Sequence, residues 1–148
     1  MLVLAGSLSL VAALAHLGVI VGGPDWYRFF GAGEEMAVAA ERGSWRPTVI
    51  TMGIAALLAV WALYAFSGAG RIARLPLLRT GLVVIAAIYL ARGLILVPLL
   101  AWRPEVVDGF TLWSSLIVLA HGLAHAIGTW LAWGSLARPG PAASRTHG

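Results

Sequence analysis

Four long apolar stretches divide the chain, at positions 1–23, 47–70, 76–100 and 111–137, and the charged residues fall almost wholly between them. A helix rises about 1.5 Å per residue, so about 20 apolar residues cross a hydrocarbon layer about 30 Å thick. Each stretch is long enough. The pattern predicts an all-α, integral membrane four-helix bundle with spans at about 1–23, 47–68, 76–100 and 111–137, forming one membrane domain over 1–138. Ala13-Leu14-Ala15 has the small-residue pattern of a signal-peptidase site. The preceding segment carries no basic residue, however, and the apolar run continues to Val21, so the first stretch reads as a span rather than a cleaved leader.

Stepping by three and four along each span separates a small or polar face from one rich in Leu, Ile, Val and Trp. On the first span that face is Ala5, Ser9, Ala12 and His16; on the second it is Thr48, Thr51, Ala55, Leu58, Ala62 and Ala65. On the fourth it is Ser114, Val118, His121, His125, Gly128, Ala132 and Ser135. Small residues let helices approach closely in lipid, where packing rather than hydrophobicity drives association. These faces are expected to form the interior.

The connection at 24–46 is the one long loop. Pro24-Asp25 is a helix start, proline at a first helical position with an acid in the first turn, and Glu34 to Glu41 can form a second short helix before Gly43. With Trp26, Tyr27, Phe29, Phe30 and Trp45 the loop has the composition of an amphipathic, interfacial helical segment, a lid over one end of the bundle. Pro104-Glu105 repeats the proline-then-acid start in the third loop. The tail at 139–148, rich in Pro, Ala, Ser and Gly, is expected to be disordered.

Composition agrees with the pattern: 60% of residues are hydrophobic, 11% are charged, and the mean hydropathy is +0.89. That is too apolar for a soluble domain with a polar surface. All ten basic residues are arginine, and there is no cysteine. Lysine Schiff bases, disulfides, thiolate metal ligands and iron–sulfur ligation are therefore excluded. The pI of about 10.7 does not indicate nucleic acid, because the arginines lie beside spans instead of clustering on a face. Arg71, Arg74, Arg79, Arg138 and Arg145 fall on one side of the bundle, and Arg28, Arg42, Arg46 and Arg103 on the other. The larger count places the second loop and both termini in the cytoplasm and the lid outside, as in an inner-membrane multi-pass protein.

Chemistry concentrates in the spans. His121 and His125 stand one helical turn apart, His16 lies on the small face of the first span, and Arg92 interrupts the third with Tyr89 one turn away on the same side. Measured from the lid ends of the spans, His16, Arg92 and His121 share a layer about 9–14 Å deep. A guanidinium stays charged and costs roughly 2.5–3.5 kcal/mol at the centre of a bilayer. Arg92 therefore needs acceptors, and no span holds a carboxylate. The candidates are imidazoles, Tyr89, backbone carbonyls such as that of Leu94 (freed by Pro98), the lid acids Glu34 and Glu35, or a bound anion.

Several functions fit this layer. His16, His121 and His125 have the residue type to ligate a divalent metal, or His16 with His121 or His125 to hold haem b between the first and fourth spans, with Arg92 toward a propionate. Equally, the histidines can serve as polar glue, hydrogen-bonding across helices to Ser9, Ser114, Thr51 or backbone. No nucleophile elbow, phosphate loop or paired intramembrane carboxylate supports catalysis. The size and four spans resemble the small multidrug-resistance exporters, but those use a glutamate in the first span where this chain offers His16. The leading expectation is a non-enzymatic membrane component or small-ligand binder, working as a homo-oligomer or with partner membrane subunits. A haem- or metal-binding electron-transfer protein and a proton-linked or anion transporter are the alternatives.

Overall fold

The computed structural model describes residues 1–137; the tail expectation at 139–148 lies outside them. Four helices are long and apolar enough to cross a membrane: α1 (Leu2–Gly22), α4 (Arg46–Gly68), α5 (Leu78–Leu94) with its continuation α6 (Leu96–Trp102), and α7 (Gly109–Leu136). Two short helices, α2 (Pro24–Phe29) and α3 (Glu34–Glu41), occupy the first loop, and a single 3₁₀ turn, Pro104–Val106, occupies the third. Both proline-then-acid starts are used. At Pro24 the missing N–H falls in a first turn, where no acceptor is needed. At Pro98 it falls inside the third span, and the helix is interrupted at Ile95, three residues earlier.

The long helices pack as two pairs, α1 with α4 and α5 with α7, joined along α1–α7 and α4–α5. The pairs run antiparallel. Leu2 at the start of α1 packs with Leu78 and Leu82 at the start of α5 and with Leu136 at the end of α7, closing the end of the bundle remote from the lid. Arg79 and Arg74 fasten the same end: Arg79 donates to the Trp133 carbonyl at 2.8 Å with its guanidinium 4.5 Å from the Trp133 ring, and Arg74 donates to the Leu136 carbonyl. Cations there meet the negative end of the α7 dipole.

On α4 the expected Thr51, Ala55, Leu58, Ala62 and Ala65 are buried and Thr48 is half-buried, and Pro47 and Ser67 at the two ends are buried as well. On α1 Ala5 and Ser9 are buried, and Ala12 and His16 half-buried. On α7 the interior face is turned by about one residue. Ser115, Gly122, Thr129 and Leu136 form a strict seven-residue line beside His125 and Gly128, while Ser135 is exposed and Ser114 only half-buried. The cause is the α5–α7 seam. A Cβ built on Gly93 would stand 2.7 Å from the Leu119 Cα, and one on Gly122 2.9 Å from the Leu90 backbone nitrogen. Only glycine lets the two backbones meet at both places, and their contact fixes the rotation of α7.

The lid has a small core of its own, in which Val19, Tyr27 and Ala37 are buried with Met36 and Ala40 packed against them. Gly31, in the turn between α2 and α3, has φ 64°, and a Cβ there would lie 2.2 Å from the Phe110 ring. Phe110 thus seats the turn on the first residues of α7.

Candidate functional site

Two polar sites lie among the long helices, a buried one at mid-bundle and an open one beneath the lid. The buried site crosses the bundle diagonal. Ser9 Oγ is 3.1 Å from the Tyr89 hydroxyl and 3.1 Å from His125 Nε2, so α1, α5 and α7 share one hydrogen-bonded chain. Ser9 and His125 are fully buried. Tyr89 stacks on His125 with centroids 5.4 Å apart, stands 5.5 Å from the His121 ring, and takes the edge of Trp61 at 4.7 Å. Whichever way the hydrogens run along the chain, His125 Nδ1 is left over: it is buried and unpartnered, as is Thr129 Oγ1 one turn on. A buried polar atom without a partner costs about 1–3 kcal/mol.

This chain realises part of the expected layer in a different arrangement. His125 meets Ser9, a pairing foreseen for polar glue. Tyr89, expected beside Arg92, instead turns inward to Ser9. His16 and His121 stay out of the chain; each places Nδ1 2.8 Å from the carbonyl four residues earlier, Ala12 and Ile117 respectively, and donates to it. The three histidines do not converge as a metal set: among the described residues no group of three His, Cys, Asp or Glu is placed to hold an ion. Nor do the α1 and α7 surfaces around His125 leave space for a haem. They touch directly through Ser9–His125, through the buried Ala5–Ala65–Ala124 cluster, and at Gly128, where a Cβ would lie 3.0 Å from Leu2.

The open site is a cleft of about 530 Å³ between the lid, the end of α5 and the start of α7. Its polar lining is Arg28, Glu34, Arg92, Asp108, Thr111 and Ser114, with Phe29 and Phe110 as aromatic walls. Arg92 is exposed to it and touches Ser115 Oγ at 3.4 Å. The lid acids foreseen as partners are engaged elsewhere. Glu34 takes Arg28 through both oxygens, at 2.7–3.2 Å, and Glu35 lines a separate groove between α3 and α4. Arg28 also pairs with Glu41 at 2.8 Å and Asp25 at 3.6 Å, which leaves Arg92 without a salt bridge among the described residues. Asp108 caps α7, its Oδ1 accepting from the Thr111 N–H at 2.7 Å, and hydrogen bonding from Thr111, its side chain first and its backbone second, holds the carboxyl below the usual range. The sequence carried a signal for Asp108, an N-cap residue three places before Thr111. For Arg28, whose partners are set by the folding of the lid, only the Asp25 spacing of three hinted at the clamp.

The Arg28 guanidinium likewise lowers the Glu34 carboxyl from its ordinary 4.5. A depressed folded-state value makes the pair's contribution complete above pH 4.5 and lost as the pH falls through the lowered value. Acidifying from about pH 6 to about pH 3 is therefore expected to lower the hydrogen-exchange protection factors of α2 and α3, taken relative to intrinsic rates at each pH, ahead of those of the long helices. Equal protection of the lid across that range would argue against the clamp.

No protein-family model, curated protein or solved structure matches the chain.

Proposed function

We propose that this is a non-enzymatic inner-membrane protein, with both termini in the cytoplasm and the lid outside, that binds a small ligand through an anionic group at Arg92. One observation carries the reading. Arg92 is a permanent cation on a spanning helix, it faces an open cleft, and among the described residues its one side-chain hydrogen bond is to a neutral hydroxyl. An arginine at membrane depth without a carboxylate is incompletely compensated, and the fork of donors it offers matches a carboxylate or phosphate. Ser114 and Thr111 add hydroxyls beside it.

The four apolar spans support the membrane assignment, and the segregation of arginines supports the orientation. The haem and metal reading is weaker on this geometry, because His125 is committed to Ser9 and the α1–α7 seam around it is closed.

Binding of glycerol 3-phosphate and of soluble dihexanoylphosphatidic acid to the protein in detergent tests the reading. At least one is expected to bind the wild type, and Arg92→Gln to weaken it by about tenfold or more, the effect of losing a charge-assisted pair. Absence of binding by either compound, or equal binding by the variant, would overturn it.

A further inference from the structure

The charges that line the cleft do not simply favour an anion. Of its four charged residues, Arg28 and Glu34 are committed to the lid's own ion pairs, in which Arg28 also holds Glu41 and Asp25, and the two outside those pairs are one cation, Arg92, and one anion, Asp108. Asp108 spends one oxygen on the Thr111 N–H and is not salt-bridged among the described residues. A purely anionic ligand would satisfy Arg92 and face Asp108 with like charge; a purely cationic one would do the reverse.

We infer that the cleft takes a zwitterion of the phosphoethanolamine class, with phosphate oxygens on Arg92, Ser114 and Thr111 and the primary ammonium on Asp108. The inference rests on the Arg92 binding reading above and adds the second charge. The hydroxyls suit an anion with several oxygens, because each can donate to a different one, Ser114 by turning its hydrogen away from the Thr111 carbonyl 3.3 Å off. A primary ammonium suits Asp108 because it donates hydrogen bonds as well as charge, which a trimethylammonium cannot. Phe29 and Phe110 line the same cleft, and an aromatic ring attracts a cation to its face. Such a group reaches the site either as a phospholipid headgroup or as a free phosphomonoester.

Asp108 permits a clean test. Asparagine is as good an N-cap as aspartate, so Asp108→Asn keeps the Thr111 bond while removing the charge. Binding is measured by native mass spectrometry in detergent with dihexanoylphosphatidylethanolamine, with dihexanoylphosphatidylmethanol, which has the phosphate and no ammonium, and with soluble O-phosphoethanolamine. Wild type is expected to prefer the ethanolamine lipid to the methanol lipid by about tenfold, Asp108→Asn to erase that preference, and Arg92→Gln to weaken both. Competition by O-phosphoethanolamine would identify the free ester as sufficient; a lipid retained against it would identify the headgroup of a membrane lipid, and either source supports the charge pairing. Equal wild-type binding of the two lipids, with Arg92 still required, would overturn the zwitterion and leave the Arg92 reading standing. If neither lipid bound in an Arg92-dependent way, both would fall.

Discussion

Gly93→Val and Gly122→Val each force α5 and α7 apart, and each is expected to lower stability by about 1–3 kcal/mol or more. The atoms a new Cβ would strike are backbone atoms of Leu119 at one site, and at the other the Leu90 nitrogen together with its side chain. Backbone cannot rotate out of the way as a side-chain tip can, so the helices must separate or rotate. Separation at Gly93 already opens the seam at Gly122, which makes the double variant less destabilised than the sum of the two. Reversible unfolding in mixed micelles measures all three proteins. Undiminished stability in both single variants would mean that α5 and α7 do not meet along this line.

The second large effect is expected at His125. His125→Ala empties a fully buried site against Ser9 and Tyr89, and truncations of that size cost about 2–5 kcal/mol. His125→Leu refills much of the volume, removes the unpartnered Nδ1 and leaves Ser9 and Tyr89 hydrogen-bonded to each other. It should therefore recover most of the loss, with interhelical hydrogen bonds of this kind worth about 0.6–2 kcal/mol. A leucine variant as unstable as the alanine one would show that the imidazole's polarity, and not its volume, holds the core. Ligand binding at Arg92 should persist in the leucine variant, because the ring lies outside the cleft lining.

Hydropathy alone located the four long helices to within a few residues, since lipid-length apolar runs have few other structural solutions. The lid was legible for a different reason: Pro24, Asp25, Glu34, Glu35 and Gly43 punctuate a short loop with helix starts and a stop. The interior face of α4 was readable because its small residues occupy a single stripe. On α7 small and polar residues occur on two adjacent stripes, through Ser114 and through Ser115, and composition could not choose between them. The choice is made by Gly93 and Gly122, whose contribution is the absence of a side chain, invisible to any measure of polarity. Arg92 was found as the group needing a partner, but not where it would look. Of the acids nearest in depth, Glu34 was claimed by the lid's own folding and Glu35 lines a separate groove, and Tyr89 was claimed by a serine 80 positions away. Long-range pairings of that sort have no periodic signature.

Leu2 bears on how the molecule is made. Its side chain sits against Leu78, Leu82 and Leu136 and approaches Gly68 and Gly128, so its resting place is built by α4, α5 and α7 together. During synthesis α1 emerges before any of those helices, and α7 emerges after α4 and α5. The seat for Leu2 is therefore incomplete until α7 has arrived, although α4, with which α1 pairs along most of its length, is made well before it. Sealing of the end remote from the lid in this way waits on the helix made after the other three long ones.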